Sequence, residues 1–597
     1  MFRRGWIIVL TLACALSAAP ALGQGGTSSA TLSGVVVDSD GGTVPGATVV
    51  VTKVATGEKL PPQITNGSGA YSFPALAPGK YKVTIALHGF KTQEIETTLN
   101  AGSNSALNTK LEVGSIIEIV TVDGNTGIEI TRTEPAVTQT VSANFIQKLP
   151  RSDRNPLNFL IFLPGVTTVG GAAGARNNTT IAGLPSNQFN ITIDGVTNSN
   201  LLQAGDGFFT MVTPRLDAIE EVSLTSSSAS VDASGQGAIQ VRFVTRTGTN
   251  RFEISLYEFM QHGAFNSNTF FNRLNALPVP AATNHTYGGR IGGPIMLPGF
   301  DGRGRAFFFF NQEEVYGPIE TARARTIIRE SALNGYFTYG TVQPFTTVNV
   351  LAIAAANGQV STYDPIVRKL LEDIRAAALT SGTISEVDAS PNTAGYDWLV
   401  PNKTIRHTPT TNITVNLTQR NRLQGSYYWQ RFNNIPDTLN SAEERFPGFP
   451  AFGTQSSYRT TASISLRSTI NTSMVNEVRT GWAWAPVGFF VNTTPAMFDN
   501  QGGFNLGLGF GLTGAASGGA QTPQERNTPN VTVSDSFSWL KGSHAVTFGA
   551  DYTHLTNWLT DTVNVPSLAL GYQDELRSGR IDVQHGELPG LDVGRPQ

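Results

Sequence analysis

Residues Gly509-Phe510-Gly511-Leu512-Thr513-Gly514 have the G-x-G-x-x-G spacing that lets a backbone approach a dinucleotide pyrophosphate, and Asp38-Ser39-Asp40-Gly41 opens like a calcium loop. Neither has the surroundings its chemistry needs. The glycine run lacks a strand pattern before it and a helix pattern after it, so it reads as a glycine loop. The aspartates have no bidentate Glu at the expected position and read as a turn. The seven histidines are scattered without ligand-like spacing, and no H-E-x-x-H, G-x-S-x-G or G-x-x-x-x-G-K-[ST] occurs. No nucleophile, metal cluster or acid–base pair can be named, so no catalytic residue, metal site or cofactor is assigned. The chain is read as a non-enzyme.

Composition points the same way. Only 14% of the 597 residues are charged, where about 25% is usual in soluble domains. A net charge of -3 gives no basic face for nucleic acid, and that partner class is set aside. The length predicts several domains. Residues 1–23, "MFRRGWIIVLTLACALSAAPALG", read as a signal peptide: Arg3 and Arg4, an apolar run from Trp6 to Leu16, then small residues before Gln24. The only cysteine, Cys14, lies inside it, so the mature chain would carry no disulfide. No later run is long and apolar enough for a spanning helix, so a membrane form must be a barrel.

The elements that dominate are strands. In "VTVSDSFSWLKGSHAVTFGADY", Val531, Val533, Phe537 and Trp539 alternate with Thr532, Ser534, Ser536 and Ser538. After the turn, Val546, Phe548, Ala550 and Tyr552 alternate with Thr547, Gly549 and Asp551. The apolar face would be core in a soluble sandwich and lipid-facing in an outer-membrane barrel, and this hairpin alone does not decide. Two more hairpins share the design. One alternates Ile413, Val415 and Leu417 with Thr414, Asn416 and Thr418, then resumes at Leu423, Gly425, Tyr427 and Trp429; the other carries Ile464, Leu466, Val478, Trp482 and Trp484. Tight turns combined with long polar connections, such as Phe432 to Thr460, favour lipid on the apolar face. A helix is predicted at "YDPIVRKLLEDIRAAAL", capped by Asp364, with Ile366, Val367, Leu370, Leu371 and Ile374 as one stripe, inside a long loop.

Three groups of motifs resemble known families. Gly34, Asp38, Pro45-Gly46-Ala47, Gly69-Ala70-Tyr71, Pro78-Gly79-Lys80-Tyr81 and Gly89-Phe90 resemble the carboxypeptidase regulatory-like domain, a seven-stranded β-sandwich whose name implies no catalysis. "LPGV" at 163–166, "FNITIDGVTN" at 189–198, "LDAIEEVSL" at 216–224 and "VTRTGTNRFEISLYEF" at 244–259 resemble the plug of TonB-dependent outer-membrane receptors of the Oar-like branch. "YGGRIGGPI" and "RAFFFFNQEEVY" resemble the barrel of that branch.

The resemblance implies a mainly β chain in four parts: signal peptide 1–23, sandwich 24–113, TonB box with an α+β plug 114–250, and the first part of a transmembrane antiparallel β-barrel 251–597. From the residues alone the apolar run Ile116, Ile117, Ile119, Val120, Val122 is a buried strand. The resemblance instead makes Glu118, Ile119, Val120, Thr121 and Val122 the TonB box. It also implies TonB as partner, driven through ExbB and ExbD, a periplasmic N-terminal domain, contact with outer-membrane lipid, and import of a siderophore, oligosaccharide or peptide. The residues that bind the substrate are unknown. The alternative is an outer-membrane adhesion or structural protein without energised uptake. Plugged barrels close with about 22 strands, and residues 251–597 have room for about half of them. The sequence is therefore expected to be a fragment with an unclosed barrel.

Overall fold

A computed structural model describes residues 29–114, 118–121, 128–130, 138–142, 154–168, 179–185, 188–199, 210–226, 239–339, 345–385, 391–509, 511–542 and 544–569. The signal peptide, Ile116, Ile117, Val122, Phe510 and the tail after 569 lie outside them.

The first domain is a two-sheet sandwich. Its strands are β1 (Ala30–Val37), β2 (Thr48–Lys53), β3 (Gln63–Ile64), β4 (Ala70–Leu76), β5 (Gly79–Ala86), β6 (Gln93–Leu99), β7 (Asn104–Ala106) and β8 (Thr109–Lys110). One sheet runs β4-β1-β7 with β8 also on β1; the other runs β3-β2-β5-β6. β7 and β8 pair with β1 in one continuous register, Thr31 with Asn104 and Val36 with Thr109, so they are halves of one interrupted strand and the fold is seven-stranded. Alternate residues such as Leu32, Val36, Val49, Val51, Val83 and Ile85 fill the core. Gly34 is required by close approach: a Cβ there would lie 2.0 Å from the Leu107 carbonyl oxygen, which also accepts from the Tyr71 hydroxyl at 2.7 Å.

A further strand, β9 (Glu118–Thr121), extends the second sheet. It lies parallel to β6, Gln93 opposite Glu118 and Ile95 opposite Val120.

The plug is a six-stranded sheet with short 3-10 helices. Its strands are β10 (Ile128–Ile130), β11 (Thr138–Ser142), β12 (Phe189–Ile193), β13 (Val196–Thr197), β14 (Ile219–Thr225) and β15 (Ile239–Thr245), in the order β10-β11-β14-β15-β12-β13. Every residue of β15 is buried: Ile239, Val241 and Phe243 lie in the core shared with the wall residues Phe309 and Tyr428, and Arg242 on the other face lies against Gly102 of the sandwich. Leu157, Phe159 and Leu160 of the 3-10 helix Pro156–Phe162 close that core with Ile191, Val222 and Phe243.

Nine long strands form the wall, each antiparallel to the next along the chain: β16 (Glu253–His262), β17 (Thr283–Pro294), β18 (Ala306–Ile328), β19 (Thr393–Asn416), β20 (Asn421–Ile435), β21 (Gln455–Asn471), β22 (Met474–Trp484), β23 (Asn530–Lys541) and β24 (His544–Leu555). Among the described residues β16 and β24 do not pair with each other, so this sheet is an unclosed barrel. The faces are those the alternation predicts. Val531, Trp482 and Ile413 are close to half exposed, whereas Thr532, Ser463 and Thr414 are buried against the plug side.

β18 and β19 have 23 and 24 residues, more than twice the roughly 10 that cross a bilayer, so they project outward. The loop helix α1 (Pro365–Ala378) packs on their outer part, its Leu370 and Ile374 sharing a core with Tyr396, Trp398 and Phe446. Asp364 caps it by accepting from Ile366 N and Val367 N.

One connection differs from expectation. The strands flanking the Phe432–Thr460 segment run on to Ile435 and start again at Gln455, and the residues between them are not a simple polar loop. Phe446 and Phe452 are buried, because the outward strand extensions give the loop an apolar surface to fold on.

Candidate functional site in the plugged lumen

The plug is seated by one hairpin, one ion cluster and a few buried hydrogen bonds. The hairpin is β12–β13, where Ile193 pairs with Val196 across a two-residue Asp194-Gly195 turn. Both turn residues have positive φ, 47° and 80°, as the Asp-Gly turns that suit a hairpin's twist require. Asp194 is held by Thr245 N and the Thr245 hydroxyl. Gly195 faces the wall, and a Cβ there would come within 1.9 Å of Arg479 Nη1. The motif "FNITIDGVTN" is thus explained twice: its turn needs Asp-Gly, and its tip has no room for a side chain.

On the wall of β18, Glu313 is fully buried and takes charge from two plug arginines. Arg154 Nε donates to it at 3.1 Å, Arg215 Nε also donates, and the Tyr257 hydroxyl of β16 donates at 2.8 Å. Arg154 also pairs with Asp217 of the plug, and its guanidinium lies 4.6 Å over the Tyr257 ring and 4.3 Å over the Phe259 ring. Arg290 of β17 stands 3.8 Å from Asp217. Such a cluster adds little net stability when intact, and breaking one member is costly because a buried charge is left alone.

Hydrogen bonds complete the seat. The Tyr428 and Thr245 hydroxyls are 2.8 Å apart. Asn530 Nδ2 donates to the Thr197 carbonyl at 3.2 Å, and Thr461 reaches Asn198 Oδ1 at 3.4 Å.

Of the five residues the sequence singles out as a coupling box, Glu118, Ile119, Val120 and Thr121 form β9, at the edge of the sandwich sheet. Val122 lies outside the described residues. The structure therefore brings this segment to the sandwich and not to the plug-seating cluster. Arg154, Arg215, Glu313 and Tyr257 are residues that sequence reasoning missed. The available signal was Glu313 itself, a carboxylate on the inward register of a strand whose neighbours Phe307 and Phe309 are apolar.

Among the described residues no group of His, Cys, Asp and Glu is arranged to hold a metal, and no helix is long and apolar enough to cross a membrane. Asp38 Oδ1 accepts from Asp40 N and Gly42 N, which makes the acidic pair a turn.

Residues 244–578 match the outer membrane beta barrel domain family. Residues 31–112 match the carboxypeptidase regulatory-like domain and residues 131–240 the TonB-dependent receptor plug domain. Several solved structures are similar. The outer membrane transporter YddB from Escherichia coli is 11% identical with a TM-score of 0.46, over 74% of this chain and 52% of that one. A ferric enterobactin receptor, PfeA, from Pseudomonas aeruginosa is 12% identical with a TM-score of 0.42, over 72% and 50%. FpvA of P. aeruginosa, solved with pyoverdines, is 10% identical with a TM-score of 0.38, over 74% and 45%. The chain thus spans about half the length of these solved structures. No curated protein matches it.

Proposed function

Because the chain belongs to the outer membrane β-barrel family, with a TonB-dependent receptor plug and a carboxypeptidase regulatory-like domain before it, we propose that this outer-membrane protein imports a scarce or large solute with energy delivered from the inner membrane. A plugged lumen admits nothing of that size by diffusion, and the outer membrane has no ATP. Energy must then arrive as a mechanical pull on the chain. The segment for that pull is Glu118–Val122, to which TonB, driven through ExbB and ExbD, would add a strand by β-augmentation. The observation that carries this reading is the position of β9, an edge strand standing directly before the plug. The solute is a siderophore, an oligosaccharide or a peptide. The division of the chain at residues 23, 113 and 250 belongs to the same proposal.

The test is Val120→Pro. Proline removes a backbone donor from the strand that TonB must pair with. Growth of a deletion strain on different sole iron and carbon sources identifies the solute, and uptake and binding of that solute are then measured in the variant. Uptake should be lost with binding intact. Unchanged uptake would move the coupling segment elsewhere, and a parent that takes up no solute would favour an adhesion protein.

A further inference from the structure

We propose that the N-terminal sandwich is a second closure of the barrel, seated on its periplasmic mouth and released by the coupling strand before the plug moves. The proposal rests on the reading of Glu118–Val122 as that strand.

The sandwich sits at the end of the wall where the connections are tight. The turns after Asn416, Asn471 and Lys541 each join two wall strands in a few residues, and short turns mark the periplasmic side of such barrels. At that end Asn66 Nδ2 donates to the Gly542 carbonyl at 2.5 Å, Arg467 Nη2 donates to the Pro74 carbonyl at 3.1 Å, and Ser29 donates to Glu477 at 3.1 Å. Arg422 and Glu58 stand 3.8 Å apart. The plug side is tied as well: Asn250 N donates to the Ala55 carbonyl at 3.1 Å, and Ala101 N donates to Glu221. A cavity of about 60 Å³ remains where the three parts meet, lined by Lys53, Pro78, Asp194, Glu220, Ser465 and Glu477 among others.

The two closures differ in chemistry, and that sets their order. The plug shares one apolar core with the wall residues Phe309 and Tyr428. The sandwich core contains only its own residues, and its named ties to wall and plug are hydrogen bonds and ion pairs around a small gap of mixed polar and apolar lining. Water replaces the hydrogen bonds of such an interface as it parts, whereas separating a shared apolar core exposes apolar surface, so the sandwich parts at lower force. Force on β9 also reaches the sandwich first, because β9 is paired directly with β6 and only a few residues separate it from the buried Leu111.

Labelling at Ser465 tests this. The chain's only cysteine is Cys14, so Ser465→Cys reports whether the mouth is covered. In isolated outer membranes a membrane-impermeant maleimide should label Ser465→Cys slowly. Adding Glu58→Arg should speed labelling about tenfold, which corresponds to about 1.4 kcal/mol of lost docking. The swap Glu58→Arg with Arg422→Glu should restore slow labelling. Arg467→Met is an independent undocking variant and should also speed it. Equal rates in parent, Glu58→Arg and Arg467→Met would overturn the closure. In living cells labelling should be faster with a proton gradient than with a protonophore, and Val120→Pro should remove the difference. If Val120→Pro loses uptake but keeps the gradient-dependent labelling, the coupling reading stands and release through this strand is overturned.

Discussion

Glu313 on the barrel wall and Arg154 on the plug are 3.1 Å apart with the carboxylate fully buried, and the same carboxylate binds Arg215. Replacing Glu313 by Ala leaves two guanidiniums buried without this partner, a change worth about 3 to 5 kcal/mol. Glu313→Ala should lower the unfolding midpoint of the detergent-solubilised protein and expose the plug to protease. Glu313→Gln, which keeps one accepting oxygen and so only part of these hydrogen bonds, should fall between. An unchanged midpoint and unchanged cleavage in Glu313→Ala would show that this cluster does not hold the plug.

Gly195→Ala should unseat the plug hairpin for two separable reasons. The φ of 80° strains any residue with a Cβ, and that Cβ would collide with Arg479. The strain costs on the order of 1 to 3 kcal/mol, and the collision adds to it. Combining Gly195→Ala with Arg479→Ala should recover part of the protease resistance of the plug. If the double variant is no better than the sum of the singles, the tip does not contact Arg479 as described.

Phe548→Arg puts a charge on the lipid side of β24, where Phe548 is about half exposed and its ring lies 5.0 Å from that of Phe537. Near the bilayer midplane this costs roughly 2 to 4 kcal/mol, and assembly into outer membranes should fall. Thr547→Arg, one residue along and on the opposite face, should assemble better. Equal assembly of the two would reverse the assignment of faces.

Lys53 is buried where sandwich, plug and wall meet. Burial, helped by Arg422, pulls its ammonium down to about 8, against the opposing pull of Glu58 and Glu220. Folding therefore expels a proton between about 8 and the ordinary lysine value, and stability from this group should rise with pH across that window; below it the full penalty of burying the charge is present. Lys53→Met should stabilise the folded protein at pH 7 by up to about 3 kcal/mol, read from its unfolding curve, and flatten the rise between pH 8 and 10. A steeper pH dependence in Lys53→Met would refute this.

Much of the molecule was legible because strands write their surroundings into alternate positions. Val531 with Thr532, and Ile413 with Thr414, carry the choice between lipid and lumen residue by residue, since successive side chains must point apart. Asp364 and the stripe through Leu370 and Ile374 announced a capped helix for the same local reason. Gly34 and the Asp194-Gly195 turn stood in recognisable motifs before their neighbours Leu107 and Arg479 were in view. What remained for the tertiary structure is contact between residues far apart in the chain. Nothing within reach of Arg154 in sequence says that Glu313, 159 positions away, is its partner. Nothing near Val120 says that its strand lies beside Ile95, on the sandwich. Local pattern fixes which way a side chain points, because backbone geometry sets it. The partner it meets depends on how whole sheets pack, and only the folded chain decides that.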